Sequence, residues 1–291
     1  MCGKNAEPPL CHLRAPAKIN LHLAVTGKRG DGYHEIVSLM APVSLYDELW
    51  IDPAAGQIRV ECSAADLPRD GRNLAARAAA AFFEASGRGG GAAIRLVKRI
   101  PVGAGLGGGS SNAAAVLNGL NRHFGHPLDR AQLHRLALGI GADVPFFLMG
   151  RPALATGIGD RLTPYAGLPP MGVVIVFPGV ALSTARVYAA VKLRLTACGK
   201  KSKVSALKTQ PFDIRRHLCN DLEAVAARIC PPILEAKAAL RAQGADGVQM
   251  TGSGSAVFGL FTQARRAALA RQALDGCGRA EWQIFDADLI L

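Results

Sequence analysis

Apolar and polar residues follow two different patterns along the chain, which predict strands and helices in the same protein. Residues 93–99 alternate one by one, as expected for a strand with one buried face. Residues 73–85 and 110–121 are instead rich in helix formers, and Asn73 is a residue type that often caps a helix N-terminus. The other elements predicted in the first half are strands at 17–26, 34–43, 45–51 and 58–62, a helix at 128–138 and an apolar segment at 144–148.

After Pro169 the chain starts a second series of elements. We predict strands at 173–177, 247–250, 256–261 and 281–286, and helices at 184–193, 220–230, 233–243 and 263–274. Residues 197–210 are predicted to form a loop with a charge run. The order of these elements predicts a compact α+β sandwich, distinct from the first half. We therefore expect two domains, 1–165 and 166–291.

Length and composition agree with a globular protein. A chain of 291 residues suggests about two domains, at roughly 150 residues each. With 49% hydrophobic and 19% charged residues, it is too apolar for a disordered protein. Its most apolar run, residues 172–177, is far shorter than the roughly 20 residues that cross a bilayer. We therefore expect a soluble protein with no membrane partner.

The charge balance is strongly basic, with 34 Lys and Arg against 22 Asp and Glu and a net charge of +12. The basic residues are dispersed, and the densest runs are 200–203 and the pair Arg215 and Arg216. Aromatic residues make up only 5%, too few for an obvious base-stacking surface. We therefore expect anionic small molecules, and no nucleic acid, as partners.

The seven cysteines, at positions 2, 11, 62, 198, 219, 230 and 277, predict neither a disulfide framework nor a zinc site. Their number is odd, their spacing is wide, and no Cys-x-x-Cys pair occurs. Reduced thiols are typical of a reducing cytosol, and residues 1–13 lack the apolar core of a secretory signal. The expected location is the cytoplasm.

The segment 101–112 carries the clearest chemical signal in the chain. It holds five glycines within seven residues, after a predicted strand and before a predicted helix. Glycine lets the backbone lie where side chains would clash, and the N–H groups at a helix N-terminus attract anions. Ser110 and Ser111 add hydroxyls for phosphate oxygens or a magnesium ion. We therefore predict a phosphate-binding loop.

Two familiar phosphate loops do not explain this segment. Gly103, Gly105 and Gly108 have the G-x-G-x-x-G spacing of a dinucleotide site. That site also needs a strand ending in Asp or Glu about 20 residues later, whereas residues 123–129 form a predicted turn. A Walker loop fails because no Lys-Ser or Lys-Thr follows the glycines.

Residues 101–115 resemble the second motif of the GHMP kinase superfamily, which includes galactokinase, homoserine kinase and mevalonate kinase. Other segments resemble the members that act on a cytidine diphosphate-linked methylerythritol. These segments are 15–23 with 32–35, 141–147 and 250–258, and residues 157–160 and 220–223 fit as well. The resemblance extends from about residue 14 to residue 261, nearly the whole chain.

The resemblance implies a two-domain α+β fold with the active site in the cleft between the domains. The N-terminal domain would be of βαβ type with a left-handed crossover, and the C-terminal domain a ferredoxin-like sandwich. ATP would be the phosphoryl donor and Mg²⁺ would bridge its phosphates, although no dedicated metal ligands are evident. The residues implied in ATP binding are Asn73, Lys98, Pro101, Val102, Gly103, Ala104, Gly105, Leu106, Gly107, Gly108, Gly109, Ser110 and Ser111.

At the acceptor, the resemblance implies that Asp143 orients or deprotonates the substrate hydroxyl and that Lys18 pairs with Asp143. From the residues alone, Asp143 could instead cap a helix, and Lys18 could lie in solvent on an edge strand. A regular strand would place Lys18 on the same face as Asn20 and His22. By resemblance, Asn20 would contact the substrate.

A cytidine pocket is also implied. The resemblance places Tyr33 and His34 in it, with His34 at the edge of the base, and Tyr188 is the candidate for a second aromatic wall. Gly252 and Ser253 belong to the third superfamily motif, which would lie against the glycine loop. From the residues alone, Tyr33 and His34 could be structural, Tyr188 a core aromatic, and the third motif a plain hairpin turn.

The expected activity is ATP-dependent phosphorylation of the 2-hydroxyl of the cytidine diphosphate-linked methylerythritol, by a monomer or weak homodimer. Three alternatives stay open. Another GHMP kinase, for homoserine or a mevalonate-like alcohol, would keep the glycine loop and Asp143 but need no nucleobase pocket. A nicotinamide oxidoreductase would use the G-x-G-x-x-G spacing, and an RNA-binding protein would be indifferent to changes at Asp143.

Overall fold

The structure, a computed structural model, describes residues 11–54, 56–64, 67–191, 198, 207 and 211–291. The predicted loop at 197–210, with its charge run, lies outside the described residues except for Cys198 and Leu207. The last two residues of the predicted helix 184–193 lie outside them as well. Across the described ranges, no helix has the length and apolar character needed to cross a membrane.

A long antiparallel hairpin organises the first half of the chain. Its strands are β1 (Cys11–Lys28) and β2 (His34–Ala54), so two predicted strands at 34–51 are one continuous strand. The connecting turn closes with a 2.8 Å hydrogen bond from Arg29 N to Tyr33 O, and Gly32 takes the positive φ of +90°. This turn places Tyr33 and His34 at the tip of the hairpin.

The hairpin is the centre of a seven-stranded sheet. The other strands are β3 (Arg59–Cys62), β4 (Gly91–Val97), β5 (Ala153–Gly157), β6 (Arg161–Pro164) and β8 (Cys219–Asn220). Their order is β3-β4-β2-β1-β8, with β5 paired to β2 and β6 paired to β5. The sequence predicted neither β5 nor β6, because each has a single β-branched residue and so lacks the composition of a strand.

Four helices cover one face of this sheet. They are α1 (Leu74–Ser86), α2 (Gly108–His123), α3 (Arg130–Ile140) and α4 (Val144–Met149). Asn73 caps α1 as predicted, since its Oδ1 accepts a 2.9 Å hydrogen bond from Ala75 N. Phe82 of α1 and Leu117 of α2 pack with Ile94 of β4 in a continuous apolar core. This packing holds the N-terminus of α2 at the edge of the sheet.

The second half builds a four-stranded antiparallel sheet. Its strands are β7 (Gly172–Phe177), β9 (Gly247–Met250), β10 (Val257–Phe261) and β11 (Gln283–Asp288), in the order β11-β7-β10-β9. Among the described residues, the helices of this half are α5 (Thr184–Ala189), α6 (Ile214–His217), α7 (Glu223–Ile229), α8 (Pro232–Ala242) and α9 (Ala264–Asp275). Numbered within this sheet, the strand order is 4-1-3-2, which is the predicted ferredoxin-like arrangement.

The two sheets pack against each other, with helices outside both. All six residues of β7 are buried, because Val173 and Ile175 face the first sheet while Val174 and Val176 face helices α7 to α9. A strand covered on both faces is expected to be a continuous apolar run. The short β8, from the second half, joins β1 in the first sheet. The division at residues 165 and 166 stays a prediction.

The structure corrects the prediction that all cysteines are free. Cys198 and Cys219 form a disulfide, 21 residues apart in the chain. The backbone N of Cys198 donates a 2.9 Å hydrogen bond to Asp221, two residues after Cys219, which brings the two sulfurs together. A wide spacing carries no sequence signal for such a pairing, because folding and not chain proximity creates it.

A thiol count tests the disulfide. Seven cysteines, two of which are bonded, leave at most five thiols in the unreduced, denatured protein. Titration with a thiol-reactive chromogen should therefore reach five, and seven after reduction. The Cys219→Ser variant is the control, since it should show six without any reductant. Seven thiols in the unreduced wild-type protein would contradict the pairing.

Candidate active site

A cavity of about 1100 Å³ lies in the cleft between the two sheets. Strand β1, the hairpin tip, the glycine loop, α5 and the turn at 251–255 all contribute to its wall. Ser111 lies just outside this wall, whereas every other residue implied by the sequence lines it. These residues are Lys18, Asn20, Tyr33, His34, Asn73, Lys98, Pro101, Val102, Gly103, Ala104, Gly105, Leu106, Gly107, Gly108, Gly109, Ser110, Asp143, Tyr188, Gly252 and Ser253.

The glycine loop needs its glycines at two positions above all. Gly105 has φ +77°, and a Cβ there would lie 2.3 Å from Thr251 O. Gly107 has φ +72°, and a Cβ there would lie 2.8 Å from the ring of Phe147. Helix α2 starts at the next residue, and no side chain caps it. The uncapped N–H groups at the positive end of the helix dipole are therefore available to an anion in the cavity.

The third motif packs directly on this loop. The hydroxyl of Thr251 accepts a hydrogen bond from Asn20 N at 3.1 Å and donates one to Gly105 O at 3.3 Å. Asn220 holds the start of the turn, because its Nδ2 donates to Met250 O at 2.9 Å and to Gly252 O at 2.8 Å. The segment does connect the antiparallel strands β9 and β10 as a hairpin turn, and it is also hydrogen-bonded to both β1 and the glycine loop.

Lys18 and Asp143 lie close together in the cavity wall. Lys18 Nζ lies 3.9 Å from Asp143 Oδ2 and donates a 2.6 Å hydrogen bond to Asn20 Oδ1. Lys18 is 4% exposed, so the alternative of a solvated edge lysine is wrong. Burial lowers the pKa of the Lys18 ammonium from its ordinary value, and the Asp143 carboxylate opposes that shift.

The Asp143 side chain is free for chemistry. Asp143 precedes α4 but makes no capping hydrogen bond with its side chain, which is 39% exposed toward the cleft. Helix capping therefore does not explain this residue. A carboxylate beside a buried ammonium and open to the cavity can accept a proton from a bound alcohol.

His22 does not join Lys18 and Asn20, and that expectation was wrong. β1 has a register shift between Asn20 and His22, so that Asn20 pairs with Met40 of β2 whereas His22 pairs with Leu39. Neighbouring strand residues face opposite sides, so His22 turns away from the cavity. Its Nδ1 lies 2.7 Å from the carbonyl oxygen of His217. The composition of a strand does not reveal such a bulge.

Three aromatic rings, those of Tyr33, His34 and Tyr188, line the part of the cavity near the hairpin tip. The His34 ring lies 5.3 Å from the Tyr188 ring between centroids, at an angle of 35°. Tyr33 is 60% exposed at the hairpin tip. Burial lowers the pKa of His34, and Lys28, its partner across the ladder, lowers it further. Burial and the nearby Asp143 raise the pKa of Tyr188, so both rings are neutral near pH 7.

The sequence interpretation missed Asp47 and Asn112. Asn112 lines the cavity, and the fully buried Asp47 accepts hydrogen bonds from Asn112 and Lys98. A signal was present in the alternation of the predicted strand at 45–51, where Asp47 falls between the apolar positions Leu45 and Leu49, both of which are buried.

The described side chains that could bind a metal ion are few near the glycine loop. Ser111 Oγ is buried at the start of α2 and has no hydrogen-bond partner. Within the described ranges, the one group of three or more metal-ligand side chains is Cys198, Cys219 and Asp221, of which none lines the cavity. No carboxylate cluster therefore surrounds the glycine loop in the part of the chain described.

Comparison with known proteins gives the family. The GHMP kinases N terminal domain family matches residues 73–151, and the GHMP kinases C terminal family matches residues 206–279. The 4-diphosphocytidyl-2-C-methyl-D-erythritol kinase of Syntrophotalea carbinolica is 46% identical over 272 residues, which cover 93% of this chain and 96% of the relative. This chain belongs to the 4-diphosphocytidyl-2-C-methyl-D-erythritol kinase family.

Solved structures agree with this family. A crystal structure of a 4-(cytidine 5'-diphospho)-2C-methyl-D-erythritol kinase matches with a TM-score of 0.80 and 42% identity, over 96% of this chain and 99% of that chain. The homoserine kinase of Cytophaga hutchinsonii matches with a TM-score of 0.71 but only 17% identity, over 100% of this chain and 98% of that chain. The homoserine kinase therefore shows the shared fold alone. The expected two-domain GHMP kinase fold is confirmed.

The close contact between Gly105 and Thr251 yields a prediction for this kinase family member. In Gly105→Ala, the new Cβ must push the loop away from Thr251 O, and a displacement near 1 Å should lower kcat/KM for ATP roughly 100-fold. Steady-state kinetics measure this effect. Gly139→Ala is the control, because a Cβ at exposed Gly139 of α3 meets no atom within 4 Å. Equal kinetics in the two variants would show that the close contact is unimportant.

Proposed function

We infer that this protein transfers the terminal phosphoryl group of ATP to the 2-hydroxyl of 4-diphosphocytidyl-2-C-methyl-D-erythritol. This reaction belongs to the non-mevalonate pathway of isoprenoid precursor biosynthesis. The observation that carries the inference is the position of the Lys18 and Asp143 pair in one cavity with the glycine loop and the His34 and Tyr188 rings. A phosphate donor, a hydroxyl acceptor and a nucleobase can therefore meet there.

The donor side supports ATP. The uncapped start of α2 at Gly108 offers backbone N–H groups to the phosphates, and Lys98 adds a cation in the same wall. Asn73 lines the cavity beside them and is our candidate contact for the adenosine. Ser110 and Ser111 add hydroxyls at the first turn of α2.

Magnesium is part of this proposal. Ser111 Oγ, buried without a partner beside the helix N-terminus, fits a phosphate oxygen or a magnesium ligand. The absence of a carboxylate cluster among the described cavity residues fits an ion held mostly by phosphate oxygens and water. When bound, Mg²⁺ would neutralise charge on the ATP phosphates.

The acceptor side supports a direct transfer. Asp143 takes the proton of the substrate 2-hydroxyl, and the hydroxyl oxygen forms a bond to the terminal phosphorus of ATP. The bond from that phosphorus to the ADP oxygen breaks, and ADP leaves with the electron pair. Lys18, positioned by Asn20 and 3.9 Å from Asp143, stabilises negative charge at the acceptor oxygen.

The aromatic end supports a cytidine group. Neutral His34 can offer one ring nitrogen as donor and the other as acceptor to the edge of the base. Tyr188 packs beside it, and exposed Tyr33 at the tip can cover the base. Homoserine and mevalonate-like alcohols have no base to fill such a pocket, so these alternatives are not favoured. Gly252 and Ser253 line the cavity, and a Cβ at Gly252 would lie 3.2 Å from Lys18 Nζ.

Other expectations stay predictions. A cytoplasmic location and a monomer or weak homodimer remain proposed, and the disulfide removes one argument for a reducing compartment. The absence of a nucleic-acid partner is supported by the dispersed basic residues.

The role of Asp143 is tested by Asp143→Asn. Because the amide cannot accept the hydroxyl proton, kcat should fall about 10² to 10⁴-fold while ATP affinity stays near wild type. A coupled ADP-release assay with Mg-ATP measures kcat, and calorimetry with an ATP analogue measures affinity. Asp275→Asn, on the surface of α9, is the matched control and should stay active. An Asp143→Asn enzyme with wild-type kcat would remove Asp143 from the mechanism.

The cytidine pocket is tested by His34→Ala. Loss of the ring should raise KM for the cytidine substrate about tenfold and leave KM for ATP nearly unchanged. His134→Ala, on α3 outside the cavity, is the control. Homoserine and mevalonate, assayed beside the cytidine substrate, should give no turnover. Equal rises in both KM values would count against the pocket.

A further inference from the structure

We propose that Asp47 is the positioning residue of the ATP site, holding both ends of the glycine loop and the Lys98 ammonium in place. This proposal rests on the proposed ATP-binding function of the cleft. Asp47 does not line the cavity, whereas its partners Lys98 and Asn112 do. Any effect of Asp47 on ATP must therefore pass through its hydrogen-bond partners, which also include the backbone N of Arg99 and Ile100 at the start of the loop.

The burial of Asp47 needs an explanation. Asp47 lies on β2 with 0% exposure, between the buried residues Leu45 and Leu49. A carboxylate in an apolar core is costly unless hydrogen bonds satisfy both of its oxygens. In this structure both oxygens are satisfied, and each one serves a different end of the loop.

One oxygen holds the start of the loop. Asp47 Oδ1 accepts hydrogen bonds from the backbone N of Arg99 at 2.8 Å and of Ile100 at 2.9 Å. These two residues connect β4 with Pro101, the first residue of the glycine loop. The oxygen therefore fixes where the loop leaves the sheet.

The other oxygen holds the end of the loop. Asp47 Oδ2 accepts a 3.0 Å hydrogen bond from Asn112 Nδ2 on α2, and it pairs with Lys98 Nζ. Lys98 Nζ also lies 3.4 Å from Asn112 Oδ1. One carboxylate thus ties β2, the end of β4 and the first turns of α2 together.

Lys98 needs this carboxylate because of where it lies. Its Nζ would be 2.9 Å from a Cβ at Gly108, the first residue of α2. An ammonium at a helix N-terminus is repelled by the helix dipole. The negative charge of Asp47 offsets that repulsion and keeps Lys98 in the cavity wall, where a phosphate or adenosine group can meet it.

The Asp47→Asn variant separates the contacts of one carboxylate oxygen from those of the other. Its remaining oxygen can keep the two backbone hydrogen bonds, but its amide NH₂ faces two donors, Lys98 Nζ and Asn112 Nδ2. The contacts with Lys98 and Asn112 should therefore be lost, while the hydrogen bonds that hold the start of the loop are kept. We expect KM for ATP to rise about tenfold or more, with kcat and KM for the cytidine substrate changed less than about threefold.

Asp246→Asn is the matched structural control. Asp246 accepts from Thr262 N at 2.8 Å, from Thr262 Oγ1 at 2.9 Å and from Arg266, and it lies outside the cavity. This variant should lose stability without any change in KM for ATP. Calorimetry with a non-hydrolysable ATP analogue and a thermal unfolding midpoint complete the comparison. Asp47→Asn kinetics that match those of Asp246→Asn, or equal rises in both KM values, would overturn the proposal.

A second pair of variants covers the case in which Asp47→Asn does not fold. Lys98→Met removes the ammonium but leaves the Asp47 charge buried without its partner. The double variant, Lys98→Met with Asp47→Asn, also removes that charge and should therefore be the more stable of the two. If Asp47 acts through Lys98, the two should bind the ATP analogue equally. A further tenfold loss in the double variant would show that Asp47 acts on ATP without Lys98, and would overturn the proposed positioning of the Lys98 ammonium.

The same measurements distinguish this proposal from the proposed function. If the wild-type protein binds the ATP analogue but does not turn over the cytidine substrate, the acceptor assignment fails. In that case the affinity of the Asp47 variants for the ATP analogue still tests the proposal. Weaker binding than in the wild type would support it, and binding equal to the wild type would overturn it. If the wild-type protein binds no ATP analogue, both proposals fall together.

Discussion

The contact between the glycine loop and the turn at 251–255 is the constraint on which the rest of the site depends. Two backbone segments from opposite halves of the chain lie so close that only glycine fits at Gly105 and Gly252. Thr251 and Asn220 supply the hydrogen bonds that keep the segments together. The contact joins the two halves of the chain at the glycine loop, so it fixes the position of the loop in the cleft.

Buried carboxylate and ammonium pairs hold the walls around this contact. The Asp47 and Lys98 pair supports the glycine loop, and the Glu223 and Lys237 pair supports the strand that leads into the turn. Glu223 also accepts hydrogen bonds from the Gln249 side chain at 2.7 Å and from Met250 N at 3.0 Å, directly before the turn. In both pairs the two carboxylate oxygens each accept hydrogen bonds, which offsets the cost of burying the charge. By contrast, the Lys18 and Asp143 pair is open to the cavity, which leaves its charge available for chemistry.

Much of this architecture could be predicted from local patterns. Helix α1 with its Asn73 cap, the glycine loop with α2 behind it, and the buried run of β7 all follow from composition and spacing. The errors came where local patterns are weak. Strands β5 and β6 lack strand composition, the bulge in β1 turned His22 away, and the Cys198 to Cys219 bond joins residues far apart in the chain.

The sequence by itself determined which residues could do chemistry, because the glycines, Lys18, Asp143 and the Tyr33 and His34 pair stand in short local motifs. It also indicated most of the strands and helices in their order, but not β5 and β6. Only the tertiary structure decided that these motifs line one cavity, that Tyr188 packs on His34, and that Asp47 joins both ends of the glycine loop. The physical reason is that these contacts join residues far apart in the chain, 154 positions for His34 and Tyr188 and 231 for Asn20 and Thr251. Such residues meet only when the two sheets pack against each other.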